Sequence, residues 1–348
     1  SLQAHGLQPG DGPVLVTGAT GGVGSTAVGM LANLGHEVVA SSGKADAEEW
    51  LRSLGAASVI DREVLAEPAK PLQVLLVAGG CCHDYATQTQ ILKKGIEGRI
   101  QAEVDVVYNP DTSTKATFEI YGKPDWDKGY DVVIHDECSA DVTDPAYVGR
   151  ILAAHRRGTP AVNLHCAMHS YRWGDFRTAV AAGAENAGWF EMLGLQSIGH
   201  GPQIPIEITF ADRSHPISKP LPEWVTIKEE LYNNIQILTG KELAKGKQTV
   251  KGKDGSTKDV ETVVAWTNEY GPKKTRVFST TIGHNNATVE DSRYLDLVTR
   301  GVLWAAGKLG DLTVFDRDLL TCPERELLAA KVLLTVVGGR VVFAADGK

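Results

Sequence analysis

Apolar and polar positions set a clear rhythm over residues 13 to 61. "PVLVTG" reads as a short apolar strand, and "GVGSTAVGMLANLG" as a small-residue helix ending at Gly35. "EVVASS" is a second strand and "ASVID" a third. Between them "DAEEWLRSLG" is an amphipathic helix with Trp50, Leu51 and Leu54 on one face. This alternation predicts a βαβαβ unit whose parallel strands are buried on both faces. "REVLAEPAKPLQ", with two prolines and mixed charge, reads as a linker.

A second α/β series begins at "VLLVAGG". The pattern predicts a helix over 86–97, strands at "EVDVVY" and "YDVVIHDE", a helix over 145–157 and a strand at "AVNLHC". Further strands are expected at "PIEITF", "VVAWTN" and "TRVFSTTIG". Leu295, Val298, Val302 and Ala305 recur at helical spacing and predict a helix over about 291–308. "GKELAKGKQTVKGKDGSTKDVE" reads as a Lys/Gly-rich surface excursion, with a hairpin turn at Asp254-Gly255. "KVLLTVVGGRVVF" reads as two closing strands around a Gly-Gly turn. The expected divisions are 1–70, 71–309 and 310–348.

Composition narrows the partners. A chain of 348 residues has room for two or three domains. A formal charge of −8 argues against a nucleic-acid partner. No apolar run reaches the roughly 18 residues of a membrane span. "SLQAHGLQPGDG" has neither the basic nor the apolar region of a signal peptide. The five cysteines, Cys81, Cys82, Cys138, Cys166 and Cys322, form no C-x-x-C pair. That odd count predicts neither a disulfide framework nor a thiolate zinc site, and a reducing cytoplasm is the expected location. Cys81 and Cys82 read as packed small residues.

"VTGATGGVGSTAV" places Gly18, Gly21, Gly22 and Gly24 between a strand and a helix. Glycines there allow a tight turn and bring backbone N–H groups and a helix N-terminus toward a pyrophosphate. The alternative is a packed turn without a ligand. Ser41, Ser42 and Lys44 stand where an acidic residue would select NAD, so NADP is the expected dinucleotide. The stretch from "GLQPGDGPVLVTG" to "GAASVIDR" resembles the nucleotide-binding half of medium-chain quinone oxidoreductases, especially acrylyl-CoA reductases. The resemblance covers residues 1–68 and implies a partial Rossmann unit, without that family's nicotinamide pocket or catalytic domain.

Histidines collect at predicted strand ends. His83 follows "VLLVAGGCC", His135 with Asp136 and Glu137 ends "YDVVIHDE", His165 ends "AVNLH", and His284 ends "TRVFSTTIGH". In an open parallel sheet, ligands bind outside the carboxyl ends of the strands. The four imidazoles are therefore candidate ligands of a divalent metal such as zinc, or acid/base groups around a polar substrate. Separate strand caps are the plain alternative. His169 and Cys166 extend the set, and His200 in "SIGHGPQ" adds to it. Trp173, Trp189, Trp266 and Tyr270 are candidate sugar platforms or core residues.

"LLVAGGCCHDY", "PAVNLHCAMHSYR", "GHGPQIPIEI", "AWTNEYG" and "VFSTTIGHNN" resemble the ThuA-like, or trehalose-utilisation, family over residues 73–308. The resemblance implies a flavodoxin-like sheet related to class I glutamine amidotransferases and a role in sugar metabolism. It does not carry the amidotransferase nucleophile: His165 stands in its place in "LHCAM", and the flanking glycines are missing. Residues 310–348 resemble the closing segment of metal-dependent amidohydrolases, without the metal-bearing barrel. Three resemblances in series suggest a chimera. The leading expectation is an enzyme of trehalose or keto-sugar metabolism, of hydrolase, lyase or isomerase type, acting on a small carbohydrate. The alternatives are an NADPH-dependent oxidoreductase and a non-enzymatic sugar-binding or scaffold protein. A homo-oligomer is left open.

Overall fold

The structure, a computed structural model, describes Pro9 and residues 13–61, 71–309, 312–315, 332–337 and 340–344. Contacts divide the chain into two units, residues 71–309 and the two flanks taken together.

In the N-terminal flank, β1 (Val14–Val16), β2 (Val38–Ser42) and β3 (Ser58–Asp61) pair in parallel in that order. Helix α1 (Gly22–Asn33) and helix α2 (Glu48–Ser53) connect them. Val16, Val28, Val38, Ala40 and Leu51 form a small core. Trp50, expected on the buried helix face, is exposed, because the short α2 turns Leu51 inward instead. In the C-terminal flank, β13 (Leu312–Phe315), β14 (Val332–Val337) and β15 (Arg340–Ala344) form an antiparallel sheet. The last two are the strands expected around Gly338-Gly339.

The larger unit is built on one nine-stranded sheet. Five parallel strands come first: β4 (Leu72–Gly80), β5 (Ala102–Asn109), β6 (Val132–Cys138), β7 (Ala161–Leu164) and β12 (Thr275–Thr280). Their spatial order is β5-β4-β6-β7-β12, the doubly wound order of flavodoxin-like folds. Four antiparallel strands continue the sheet past β12: β11 (Thr257–Tyr270), β10 (Lys241–Lys251), β8 (Leu195–Phe210) and β9 (Trp224–Ile237).

The parallel strands are apolar on both faces because helices cover both. Leu76, Ile134 and Val162 pack against Leu92 of α3 (Tyr85–Glu97) and Val298 of α7 (Ser292–Ala305). Leu75, Val77 and Val133 pack against Ile151 of α4 (Pro145–Arg157) and Met192 of α5 (Gly188–Leu193). A single turn, α6 (Asn286–Val289), precedes α7.

The expected Lys/Gly-rich excursion is largely strand. Lys245 and Lys247 alternate with buried Ala244, Gly246 and Gln248, a period-two pattern that the lysines masked. Those lysines reach Glu261 and Asp259 on the paired β11. Asp254-Gly255 is the turn, with Gly255 at φ +80°.

Candidate functional site

Three loops at the carboxyl edge of the parallel strands converge. His83 lies between β4 and α3, where Asp84 caps α3 by accepting from the Thr87 N–H. His165 opens a 3-10 turn, His165–His169, directly after β7. His284 follows β12, its carbonyl accepting from Gln88 Nε2 of α3 at 3.1 Å. Ring centroids are 4.7 Å apart for His83 and His165, 4.8 Å for His83 and His284, and 5.6 Å for His165 and His284. One nitrogen from each imidazole lies within 4.8 Å of the other two. Among the described residues, His83 Nδ1, His165 Nε2 and His284 Nδ1 are buried without a hydrogen-bond partner.

The antiparallel extension closes the site from the side. Glu230 of β9 brings its carboxylate to 3.5 Å from His165 Nε2 and 3.3 Å from His284 Nδ1. Gln203 of β8 bonds Glu230 Oε1 and His284 Nε2, both at 3.0 Å. The exposed His200 stands 3.5 Å from Glu230. Glu229 accepts from the backbone N–H groups of His284 and Asn285 and so fixes that loop.

Tautomers follow from the partners. His165 Nδ1 meets the Thr281 carbonyl at 2.6 Å, so it carries the proton and leaves the Nε2 lone pair facing the Glu230 carboxylate. A lone pair opposite a carboxylate is repulsive unless a cation or proton sits between them. Burial, then the neighbouring imidazoles, pushes His83 down to about 3. Burial raises Glu230, but the neighbouring His165 and His284 imidazoles and the Gln203 hydrogen bond outweigh it and hold the carboxyl well below the usual range. The Glu230 contact raises His284 against the opposing effect of burial.

Backbone conformation at the edge is uncommon. Cys82 at φ +84° and His165 at φ +37° are non-glycine residues in left-handed space, where strain is usually kept for function. Gly80, at φ +95°, approaches β6 so closely that a Cβ would lie 2.3 Å from the Cys138 carbonyl oxygen.

Two expected members of the cleft are elsewhere. Side chains alternate along β6, so His135 and Glu137 share the face of Val133, on the α4 and α5 side. There His135 Nδ1 meets Glu137 Oε1 at 3.0 Å and His135 Nε2 meets His155 Nε2 at 2.9 Å. Tyr121 and Tyr171 donate to Glu137 Oε1. Asp136 takes the opposite face with Ile134 and Cys138, and burial, then Glu137, keeps its carboxyl well above the usual range.

The other expectations divide. His169 stacks on Tyr232 at 4.2 Å and bonds Ser197 Oγ at 3.0 Å, so it supports the wall of the site and is not one of the converging imidazoles. Cys166 is bonded to Cys138 and Cys81 to Cys82, which corrects the expectation of unpaired cysteines. Cys322 lies outside the described residues. Trp189, Trp266 and Tyr270 are buried in the core, the two indoles donating to backbone carbonyls, so they offer no open face to a sugar. Trp173 is half-buried at the edge of that core.

In the small flank, Gly18 has φ +59°, and a Cβ on Gly24 would lie 2.2 Å from the Gly18 carbonyl oxygen. Gly21 stands at the N-cap of α1 and Gly22 opens that helix. The Ser42 hydroxyl accepts from the Lys44 backbone N–H, and the Lys44 side chain is exposed.

Glu229, Glu230 and Gln203 escaped the sequence reading. Adjacent glutamates in "VTIKEELYNN" look like a solvated face, yet both are buried or nearly so. Trp224 and Thr226 alternate with exposed Val225 and Ile227 at the start of β9, but Lys228 is exposed and Glu229 to Tyr232 are all buried, so no period-two signal reaches the glutamates.

A doubly wound parallel sheet with imidazoles gathered outside its strand ends defines a flavodoxin-like α/β protein with a histidine-lined site. The ThuA family model, described as trehalose utilisation, matches residues 73–305, about two thirds of the sequence, and the chain belongs to that family. A crystal structure of a ThuA-like protein from Parabacteroides merdae is 21% identical, covers 68% of this chain and 90% of its own, and has a TM-score of 0.49. A separate likeness joins the chain to acrylyl-CoA reductase AcuI of Ruegeria pomeroyi, 50% identical over 80 residues. That match covers 23% of this chain, which spans about a quarter of the relative's length. Bacillus subtilis YhfP, solved with NAD bound, is 45% identical over 23% of this chain and 26% of its own, with a TM-score of 0.19. No helix among the described residues is long and apolar enough to cross a membrane.

Proposed function

We propose that residues 71–309 form an enzyme of carbohydrate metabolism whose site is His83, His165, His284 and Glu230. The substrate class is a small sugar of the trehalose or keto-sugar type, handled by a divalent cation such as zinc and by proton transfer. The observation that carries this reading is the convergence of three buried imidazole nitrogens that lack a hydrogen-bond partner.

The donor set fits such a cation. Two nitrogens on one zinc ion stand at most about 4.2 Å apart, given bonds of ~2.0–2.1 Å. The nitrogens here lie within 4.8 Å of one another, so the imidazoles would draw together to close on an ion. The Thr281 carbonyl holds His165 in the tautomer that presents Nε2, the outer support that metal-binding histidines characteristically have. When bound, the ion would polarise a sugar carbonyl or hydroxyl oxygen. Glu230 is ionised and its carboxylate accepts a proton at Oε1 or Oε2. Gln203 orients Glu230 and His284 at once.

Metal analysis of the purified full chain, zinc calorimetry and a turnover screen on keto-glycosides test the proposal. About one zinc per chain, lost in His165→Ala together with turnover, is expected. Zinc binding without any carbohydrate effect would sink the sugar assignment, and sugar binding without turnover would favour a non-enzymatic binder. Turnover that survives exhaustive chelation would remove the metal and leave the histidines and Glu230 as acid/base groups.

A second reading rests on the glycine loop of the N-terminal flank, the segment shared with relatives solved with NAD or NADPH bound. The close approach at Gly18 and Gly24 suits a phosphate turn. An NADPH-dependent reductase reading draws only on this segment.

A further inference from the structure

Four of the five cysteines meet beside the histidine site, and the function proposed above uses none of them. Cys81 and Cys82 open the loop after β4, Cys138 ends β6, and Cys166 follows His165. Cys82 is exposed, whereas Cys81, Cys138 and Cys166 are buried. Disulfides join Cys81 to Cys82 and Cys138 to Cys166. Across the gap, Cys81 Sγ lies 3.5 Å from Cys138 Sγ. The sulfurs thus form a chain running from solvent to the residue next to His165.

Gly79 and Gly80 make this contact available. Both have positive φ, and a Cβ on Gly80 would strike the Cys138 carbonyl. The Cys81 backbone N–H donates to that same carbonyl at 3.3 Å, which fixes one cysteine over the other.

We propose that the four cysteines are a thiol–disulfide relay that carries two electrons from an external dithiol to Cys166. The dithiol thiolate attacks the exposed Cys82 Sγ, the Cys81–Cys82 bond breaks, and Cys81 leaves as thiolate. The second thiol of the reductant then displaces Cys82, giving oxidised, cyclic reductant and a free Cys82 thiol. Cys81 thiolate attacks Cys138 Sγ, forming Cys81–Cys138 and breaking Cys138–Cys166. Cys166 departs as thiolate and takes up a proton. Two electrons and two protons leave the dithiol, and two protein thiols, Cys82 and Cys166, appear. Exchange proceeds through the attacking thiolate and depends on access, which only Cys82 has. The relay would uncover a buried thiol at the edge of the histidine cluster, where Cys166 adjoins His165.

The proposal is tested on the full chain, oxidised and then treated with limiting dithiothreitol. Acid quenching, alkylation and peptide mapping read each cysteine, with Cys322→Ser as the background that removes the fifth thiol. The expected map shows a Cys81–Cys138 link together with alkylated Cys82 and Cys166. Cys81→Ser should slow the reduction of Cys138–Cys166 by about tenfold or more, because the buried pair loses its nearby nucleophile. Cys82→Ser, which leaves Cys81 unpaired, should yield the Cys81–Cys138 link without reductant, a readout available even if Cys81→Ser folds poorly. Unchanged reduction of Cys138–Cys166 in Cys81→Ser would overturn the relay. So would a purified protein whose four thiols hold a metal ion and form no disulfide after oxidation.

Discussion

His155 is wholly buried, with Nδ1 donating to the Thr159 carbonyl at 2.7 Å and Nε2 against His135. Burial, then the neighbouring His135, lowers it to about 3. An unfolded histidine titrates near 6.5, so the unfolded chain binds a proton here that the folded protein refuses. The contribution of this neutral imidazole is present above about pH 6.5 and declines as pH falls toward 3, by about 2 kcal/mol at pH 5. Urea unfolding followed by tryptophan fluorescence should therefore give a lower midpoint at pH 5 than at pH 7.5. His155→Gln should flatten that difference. At the site, Glu230→Gln keeps the shape and removes the charge facing the imidazoles. It should weaken zinc binding roughly 10- to 100-fold, the usual effect of losing a supporting carboxylate. Calorimetry would read it, and unchanged affinity would place Glu230 outside the centre.

At the scale of elements, the histidine-bearing loops depend on how closely strand ends approach one another. Gly80→Ala adds a methyl against the Cys138 carbonyl at positive φ, so the loop bearing His83 must move. A cost of about 1–3 kcal/mol is expected, with a fall in zinc affinity measured alongside the unfolding midpoint. The parallel strands and their helices were legible because each is an apolar run or a helical stripe with clear ends. His83, His165 and His284 were legible because they interrupt such runs at the right edge. His135 and Glu137 were misplaced because a residue inside a strand end takes its face from register, and one position separates cleft from core. Glu230 was invisible because it sits beside Glu229 in a charged run that breaks the alternation of its strand, and only the folded extension buries both. The Cys138–Cys166 pairing could not be read either, since it depends on β6 and β7 lying side by side in the sheet.

For the whole molecule, the N-terminal flank holds three strands and a glycine loop with the likeness of a reductase segment. The full chain should bind NADPH weakly or not at all, because a single βαβαβ unit supplies the adenosine side of a dinucleotide site without the nicotinamide side. Sub-micromolar affinity by calorimetry would reverse that. Within the larger unit, β12 is the last strand in sequence, yet it sits between β7 and β11. The sheet therefore has a keystone that is synthesised late. Until residues 275–280 emerge, β7 and β11 each present an open edge, and unpaired edges invite pairing between chains. A chain ending at residue 274 should consequently be insoluble and not merely inactive. During refolding, zinc binding should lag behind the first recovery of helical signal, because His284 arrives with the strand that joins the two half-sheets.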